Sequence, residues 1–358
     1  MFSNRLLKSV RILLLPFSFI YWIGIVIRNW LYDSKIFSSK SFNLPVICIG
    51  NLSTGGTGKS PMVEFLVNSL KDQHKVAVLS RGYKRKTSGY MLADKNSTAS
   101  TIGDEPMQFH IKFPDVTIAV GEKRAEAIPQ LLKDKPDTDL LILDDAFQHR
   151  QVKAGLNILL TGFDNLFTRD IYLPAGDLRD LKSSYKRTDI IVVTKCPVDT
   201  NEETRNKIIK EIKPLPHQSI FFTAIEYGSV FDLQTKEELL LRPDLKLILV
   251  TGIAKPEPLI NWAKAWSPKV TVLQFADHHD FSITDIEKIK KQFNDSGNDT
   301  IILTTEKDAV RLQPFKDDLK ELPFYIIPVA HKFLFNEEQQ FTAIVNNFTN
   351  DFKIERED

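Results

Sequence analysis

The chain has 358 residues, of which 42% are hydrophobic and 26% charged, with a net charge of +1. That composition is globular and argues against a disordered chain, and the missing basic excess argues against a general nucleic-acid binder. Two cysteines, Cys48 and Cys196, each inside an apolar run, argue against a disulfide framework or zinc site and fit a reducing compartment. The length suits two domains, or one large α/β domain with an appendage.

Basic charge gathers at the start. Residues 1–40 carry Arg5, Lys8, Arg11, Arg28, Lys35 and Lys40 against Asp33 alone. From Ile12 to Ile27 sixteen residues are uncharged, short of the ~20 a spanning helix needs, and Pro16 and Gly24 weaken the run further. Bulky Trp30, Leu31 and Tyr32 follow where a signal peptide needs small residues. Flanking basic residues, with Tyr21, Trp22 and Trp30 among the apolar ones, predict a helix held at or in an anionic bilayer, spanning or lying flat. A core helix or a docking helix for a partner is the alternative.

After Lys40, short apolar runs alternate with helix-like stretches, the pattern of a parallel sheet covered by helices. Strands are predicted at Pro45–Ile49, Val76–Ser80, Val116–Val120, Leu140–Leu143, Asn157–Thr161 and Asp189–Thr194. Several are continuous Ile/Leu/Val runs, as strands buried on both faces should be. Met62, Val63, Leu66, Val67 and Leu70 recur at helical spacing, so a helix begins just after the glycine run of residues 51–61, NLSTGGTGKSP, with Pro61 tolerable in its first turn. Pro214 and Pro216 mark a change of character, and SIFFTAIEYGSVFDL around Gly228 reads as a hairpin-like connector. A second alternation follows at Lys246–Thr251, Val270–Phe275, Thr300–Thr304 and Phe324–Pro328. The expected organisation is a membrane-associated helix over 1–36, a P-loop core over 37–224, and a smaller α/β domain over 225–358. That last domain takes in the connecting hairpin and a terminal helix with an acidic end. The fold class is α/β, a P-loop NTPase-like parallel sheet with helices on both faces.

A strand, a glycine-rich turn and a Lys-Ser opening a helix make a phosphate cradle. Backbone N–H groups converge on the anion, and the helix N-terminus adds positive charge. Thr54, Gly55, Gly56, Thr57, Gly58, Lys59 and Ser60 are the nucleotide-binding candidates, with Lys59 reaching the β/γ-phosphates and Ser60 in a Mg²⁺ shell. The position of the motif's first glycine is Ser53. A carboxylate partner for the metal is available where the run Leu140–Leu143 ends in Asp144 and Asp145, at the carboxyl edge of the sheet. A guanine-reading Asn/Thr-Lys-x-Asp is absent: Thr194-Lys195-Cys196-Pro197 has proline where aspartate belongs, and Thr305-Glu306-Lys307-Asp308 is out of register. ATP is therefore the expected nucleotide.

Taken in order, the motifs resemble one family. They are Gly50-Asn51 with Gly55-Gly56-Thr57-Gly58-Lys59-Ser60-Pro61, Ser80-Arg81-Gly82-Tyr83, Gly103-Asp104-Glu105-Pro106 and Asp144-Asp145-Ala146-Phe147-Gln148-His149. Leu173-Pro174-Ala175-Gly176 with Leu178-Arg179, Asp277-His278-His279 and Thr305-Glu306-Lys307-Asp308-Ala309 complete the set. The chain resembles the tetraacyldisaccharide 4′-kinases, the lipid A kinase family, from the N-terminal segment to about Leu312. The resemblance implies phosphorylation of the 4′-hydroxyl of a tetraacylated glucosamine disaccharide 1-phosphate, with ATP and Mg²⁺, at the cytoplasmic face of the bacterial inner membrane. Ala146 stands where the family usually has Gly, and Asp180 where Glu is common.

A sugar hydroxyl needs a positioned base, and a carboxylate orienting an imidazole supplies one. By resemblance, Asp104 is the base-side carboxylate and His278 its partner from the second domain, with the site between the domains. Asp277-His278-His279 as a metal cluster, and Asp104 as a plain helix cap, are the bland alternatives. Arg179 is a candidate for stabilising phosphate charge. Arg81, Tyr83, Glu105 and Gln148 are weaker substrate candidates, Arg81 heading a basic run with Lys84, Arg85 and Lys86. His149 and Lys307 match motifs without an assigned step, while His74, His110, His217 and His331 carry no motif. The competing reading is a partner-stimulated P-loop ATPase of metallochaperone or membrane-targeting type; a non-catalytic nucleotide-binding scaffold is a third. Nothing in the sequence points to an obligate protein partner.

Overall fold

Ile47 and Ile49, Val78, Ile142, Ile158 and Val192 are wholly or almost wholly buried, because strands covered by helices on both faces have no solvent side. In the computed structural model, which describes residues 11–352, they form the centre of a nine-stranded sheet ordered β15-β8-β7-β6-β1-β5-β2-β4-β3. Its strands are β1 (Val46–Asn51), β2 (Val76–Ser80), β3 (Met91–Leu92), β4 (Thr117–Val120), β5 (Leu140–Asp144), β6 (Leu156–Gly162), β7 (Ile190–Thr194), β8 (Ser219–Tyr227) and β15 (Val329–Phe333). All neighbours from β8 to β4 run parallel, and only the edges β15 and β3 are antiparallel. Helix Lys59–Leu70 buries Met62, Val63, Leu66, Val67 and Leu70 against one face. Arg5, Lys8 and the acidic end of the chain lie outside the described residues.

A second sheet, ordered β10-β9-β14-β13-β11-β12, is parallel except at β9 and β10. It comprises β9 (Val230–Asp232), β10 (Glu238–Leu239), β11 (Lys246–Thr251), β12 (Val270–Gln274), β13 (Thr300–Thr305) and β14 (Phe324–Ile327). The expected strands thus lie within a residue or two of their places, but two boundaries need correction. Residues 219–233 do not form a hairpin: β8 pairs with β7 in the first sheet, and β9 pairs with β14 in the second. The chain also returns after Pro328. β15 pairs with β8, and helix Glu338–Asn350 buries Phe341 and Val345 in the first core beside Phe221. The smaller domain therefore spans 230–327, not 225–358, since the apolar face of the terminal helix is complementary to the first sheet. Gly228 N–H donates to Pro328 O at 3.0 Å where the two connections run side by side.

Helix Leu15–Asp33 is inverted in polarity. It buries Ser18, Ile25 and Asn29 and exposes Phe17, Phe19, Ile20, Ile23, Ile27 and Trp30. Its polar side docks on the segment 175–180. Arg11 pairs with Asp177 at 2.7 Å, Ala175 N–H donates to Ser18 Oγ at 3.0 Å, and Asn29 Nδ2 donates to Asp180 at 2.8 Å. Among the described residues no helix is long and apolar enough to cross a membrane.

Candidate functional site

The loop 53–58 leaves the carboxyl end of β1, the central strand, and turns into helix Lys59–Leu70. Gly55 and Gly58 lie at φ +103° and +84°, the left-handed region that glycine enters without strain. Ser53 is not among the positive-φ positions. It is buried and bridges antiparallel to Leu178, so a side chain is tolerated where the motif has its first glycine. Thr54, Gly55 and Gly56 are exposed, and Thr57 to Ser60 partly so, leaving the cradle open. Asn51 ties the loop together, its Nδ2 donating to Thr57 Oγ1 at 2.9 Å.

β5 lies beside β1 with Asp144 opposite Ile49, which brings the two acids to the phosphate loop. They part company there. Asp145, in the left-handed region at φ +48°, pairs with Lys59 at 3.8 Å and closely with Arg179. Burial works against the charge, but Lys59 and Arg179 outweigh it and hold this carboxyl down to about 2. Asp144 is buried, accepts from the Ser80 hydroxyl at 2.9 Å on Oδ2, and leaves Oδ1 without a partner. Burial first, then the Glu105 and Asp145 charges, push its carboxyl up to about 7. A buried carboxylate oxygen with nothing to accept from is a fitting cation ligand. The residues present therefore suit Mg²⁺ at Ser60 and Asp144, whereas Asp145, expected as a metal ligand too, is engaged by two cations. No group of three or more His, Cys, Asp or Glu among the described residues is arranged to hold a metal alone.

Asp104 and Glu105 open helix Asp104–Lys112. Across the gap, His278 follows β12 of the second sheet and has φ +57°, a conformation rare for a non-glycine residue and found preferentially at functional sites. Its Nδ1 is 2.9 Å from Asp104 Oδ2. The same oxygen receives Arg311 Nε at 2.9 Å. Burial opposes ionisation here too, but the His278 hydrogen bond and the Arg311 charge hold Asp104 below the usual carboxylate range. A carboxylate so held orients the imidazole instead of taking protons. His278 Nε2 faces Lys307 Nζ at 3.3 Å, and Lys307 also reaches Glu105 at 3.4 Å. His279 goes elsewhere, to Asp285 at 3.0 Å, and Asp277 is exposed, so the two histidines do not converge on a metal.

Arg179 crosses from the loop after Ala175 to Asp145 and Asn51. Gln148 Nε2 donates to Asn51 O at 2.8 Å, and Gln148 O accepts from Arg28 of the N-terminal helix. Tyr83 is exposed, its ring 5.7 Å from that of His278 in an edge-on arrangement. Arg81, Lys84 and Lys86 are exposed, but Arg85 folds back to Glu122. Asp180 is fully buried and bound by Asn29, Ser184 and Arg187, which makes it an anchor for the N-terminal helix. Burial, with Arg124, Arg81 and Arg28, pushes His149 down to about 4. Two contributors carry no sequence signal of their own. Arg311 supports Asp104, and buried Arg124 donates to Asp144 O at 3.1 Å.

A family model described as tetraacyldisaccharide-1-P 4′-kinase matches residues 10–350. The tetraacyldisaccharide 4′-kinase of Bacteroides thetaiotaomicron is 45% identical over 345 residues, covering 92% of this chain and 90% of that protein. The protein of that name from Flavobacterium johnsoniae is 43% identical over 342 residues, covering 95% and 97%. The crystal structure of LpxK from Aquifex aeolicus in complex with ATP aligns with a TM-score of 0.74 and 28% identity, over 95% of this chain and 99% of that one.

Asp144 binds its proton more tightly folded than unfolded across the window from 3.8 to about 7. Its ionisation therefore destabilises the cation-free fold progressively as pH rises through that window. Asp144→Asn is expected to raise the thermal midpoint of the nucleotide-free, chelator-treated protein near pH 8, with the gain shrinking toward about pH 5. Thermal melts of both proteins against pH check this; a pH-independent difference contradicts it.

Proposed function

The chain belongs to the tetraacyldisaccharide 4′-kinase family, and we propose that its phosphate loop, Asp144 and the Asp104–His278 pair divide the work of phosphoryl transfer. The reaction moves a phosphoryl group from ATP to the 4′-hydroxyl of a tetraacyldisaccharide 1-phosphate, a lipid A precursor. Phosphoryl transfer leaves a protein little covalent chemistry to do, so positioning and charge dominate. In this reading, the phosphate loop and Lys59 hold the β- and γ-phosphates, and Arg179 balances charge beside them. Ser60 and Asp144, with Asp145 behind Lys59, would hold Mg²⁺, and the ion would supply neutralisation of the phosphate charge. His278 Nε2 takes the proton of the acceptor hydroxyl, and Asp104 on Nδ1 fixes the tautomer and favours the imidazolium that forms. Lys307, now against Nε2, moves aside when the hydroxyl arrives. The observation that carries this division is the 2.9 Å contact from His278 Nδ1 to Asp104 Oδ2, which joins the two halves of the chain beside Glu105, whose charge acts on Asp144.

The N-terminal helix supports a second part of the reading, in which the chain sits on the cytoplasmic face of the inner membrane and meets its acylated substrate there. An exposed row of Phe17, Ile20, Ile27 and Trp30 on a helix whose polar side is docked is unfavourable in water and favourable at an acyl boundary. Arg28 and Tyr21 link that helix to Gln148 and Arg179, so the lipid surface and the phosphate site are neighbours.

With γ-labelled ATP, Mg²⁺ and the acceptor in detergent, the protein is expected to label the lipid. His278→Ala should lower kcat by about a hundred- to ten-thousandfold, and Lys59→Ala should abolish transfer. Label released only as inorganic phosphate, with or without lipid, overturns the reading. For the membrane part, flotation with anionic phospholipid vesicles should recover the parent and lose a Phe17→Ser/Ile20→Ser/Ile27→Ser variant that still binds ATP. Equal recovery of the two overturns it.

A further inference from the structure

Three carbonyls of the phosphate loop are bound from outside. Asn51 Nδ2 reaches Gly55 O at 3.4 Å, and the Thr194 hydroxyl donates to Thr57 O at 2.9 Å. His331 Nε2 lies 2.8 Å from Gly58 O. Asn51 ends β1, from which the loop departs, and Thr194 ends β7, on the far side of β6. His331 comes from β15, the edge strand laid down only after the whole second domain, and belongs to no sequence motif.

We propose that His331 is a positioning residue for phosphoryl transfer, pinning the Gly58–Lys59 peptide so that the Lys59 N–H faces the nucleotide phosphates. The proposal rests on the reading of the loop as the ATP phosphate site. In a trans peptide the C=O and N–H point in opposite directions. Holding Gly58 O against β15 therefore aims the next N–H away from the sheet edge, into the open cradle. The brace on Thr57 O does the same for the N–H of Gly58.

The chemistry of the imidazole is settled by its partners. A carbonyl oxygen only accepts, so Nε2 carries the hydrogen and Nδ1 accepts from the Thr223 hydroxyl at 2.9 Å. Thr223 is fully buried on β8, one diagonal step from His331 in the antiparallel pair with Ile225 opposite. Burial, with the Lys195 charge adding to it, pushes His331 down to about 4 although the Gly58 bond works the other way, so the ring stays neutral. Its edge also packs on the loop, since a Cβ at Gly58 would come within 2.9 Å of His331 Cε1. The bond is not needed to satisfy the carbonyl, because Gly58 O already accepts the helix bond from Met62 N–H at 3.2 Å. A second donor orients the peptide. A histidine kept merely as core packing would not aim its one N–H at an already satisfied loop carbonyl.

The test compares His331→Leu, His331→Gln and Thr223→Val with the parent in the lipid-labelling reaction, varying each substrate in turn. Loss of one oriented hydrogen bond should raise the KM for ATP about tenfold in His331→Leu and leave the KM for the lipid acceptor unchanged. His331→Gln places an amide N–H within reach of Gly58 O and should recover most of the loss. Thr223→Val, which frees the tautomer, should move the KM for ATP in the same direction by less. The thermal stabilisation given by saturating ATP should follow the same order. An active His331→Leu protein with the parental KM for ATP overturns the proposal, as does an equal fall in apparent activity toward both substrates at unchanged KM. If His331→Leu does not fold, a parental KM for ATP in Thr223→Val overturns it. A parent that labels no lipid, by contrast, counts against the kinase reading itself.

Discussion

One oxygen, Asp104 Oδ2, receives His278 Nδ1 and Arg311 Nε from the second sheet, each at 2.9 Å. In the proposed reading the first sheet supplies the phosphate loop and the second half supplies the imidazole, so neither half would be a catalyst alone. Lys307 to Glu105 at 3.4 Å, and Lys112 bridging Glu64 and Glu306 at 2.7 and 2.6 Å, cross the same boundary. Arg311 is nearly buried and also pairs with buried Asp308 at 3.1 Å. A guanidinium and carboxylates taken out of water are strongly coupled, so the geometry of the pair depends on the two sheets being in register. The chain enforces that register by crossing twice at one place, where Gly228 and Pro328 lie together.

The phosphate end is held with the same economy of parts. β1 lies between β5 and β6, so the acids ending β5 cannot avoid the loop ending β1. Different partners then give adjacent carboxylates opposite characters. Cations keep Asp145 ionised, and burial beside Glu105 leaves Asp144 short of a counter-charge. That shortage is what a divalent ion would relieve, and it follows from the strand order.

Much of this was legible in the chain. Parallel strands buried on both faces leave unbroken Ile/Leu/Val runs, so ten strands could be placed to within a residue or two. The glycine-rich turn is legible because its backbone conformation restricts residue type at Gly55 and Gly58. Sheet membership was not legible. β8 and β9 flank Gly228 with hairpin-like composition, yet belong to different sheets, because pairing is decided by partners far away in sequence. His331 and Arg311 escaped for the same reason. Arg311 lies 207 residues from Asp104, and His331 lies 273 from Gly58, and no local pattern records such a meeting. The N-terminal helix shows the converse. Its apolar run was plain, but the polar side formed by Ser18 and Asn29 emerges only when the residues are wrapped onto a helix and docked on Asp180.

The central claim is that Asp104 and His278 work as one unit assembled across two sheets. A double-mutant cycle on kcat for lipid labelling, with Asp104→Ala, His278→Ala and the pair together, tests it most directly. The account expects the double variant to be no slower than the worse single one. Losses that multiply would show two independent contributions and contradict it.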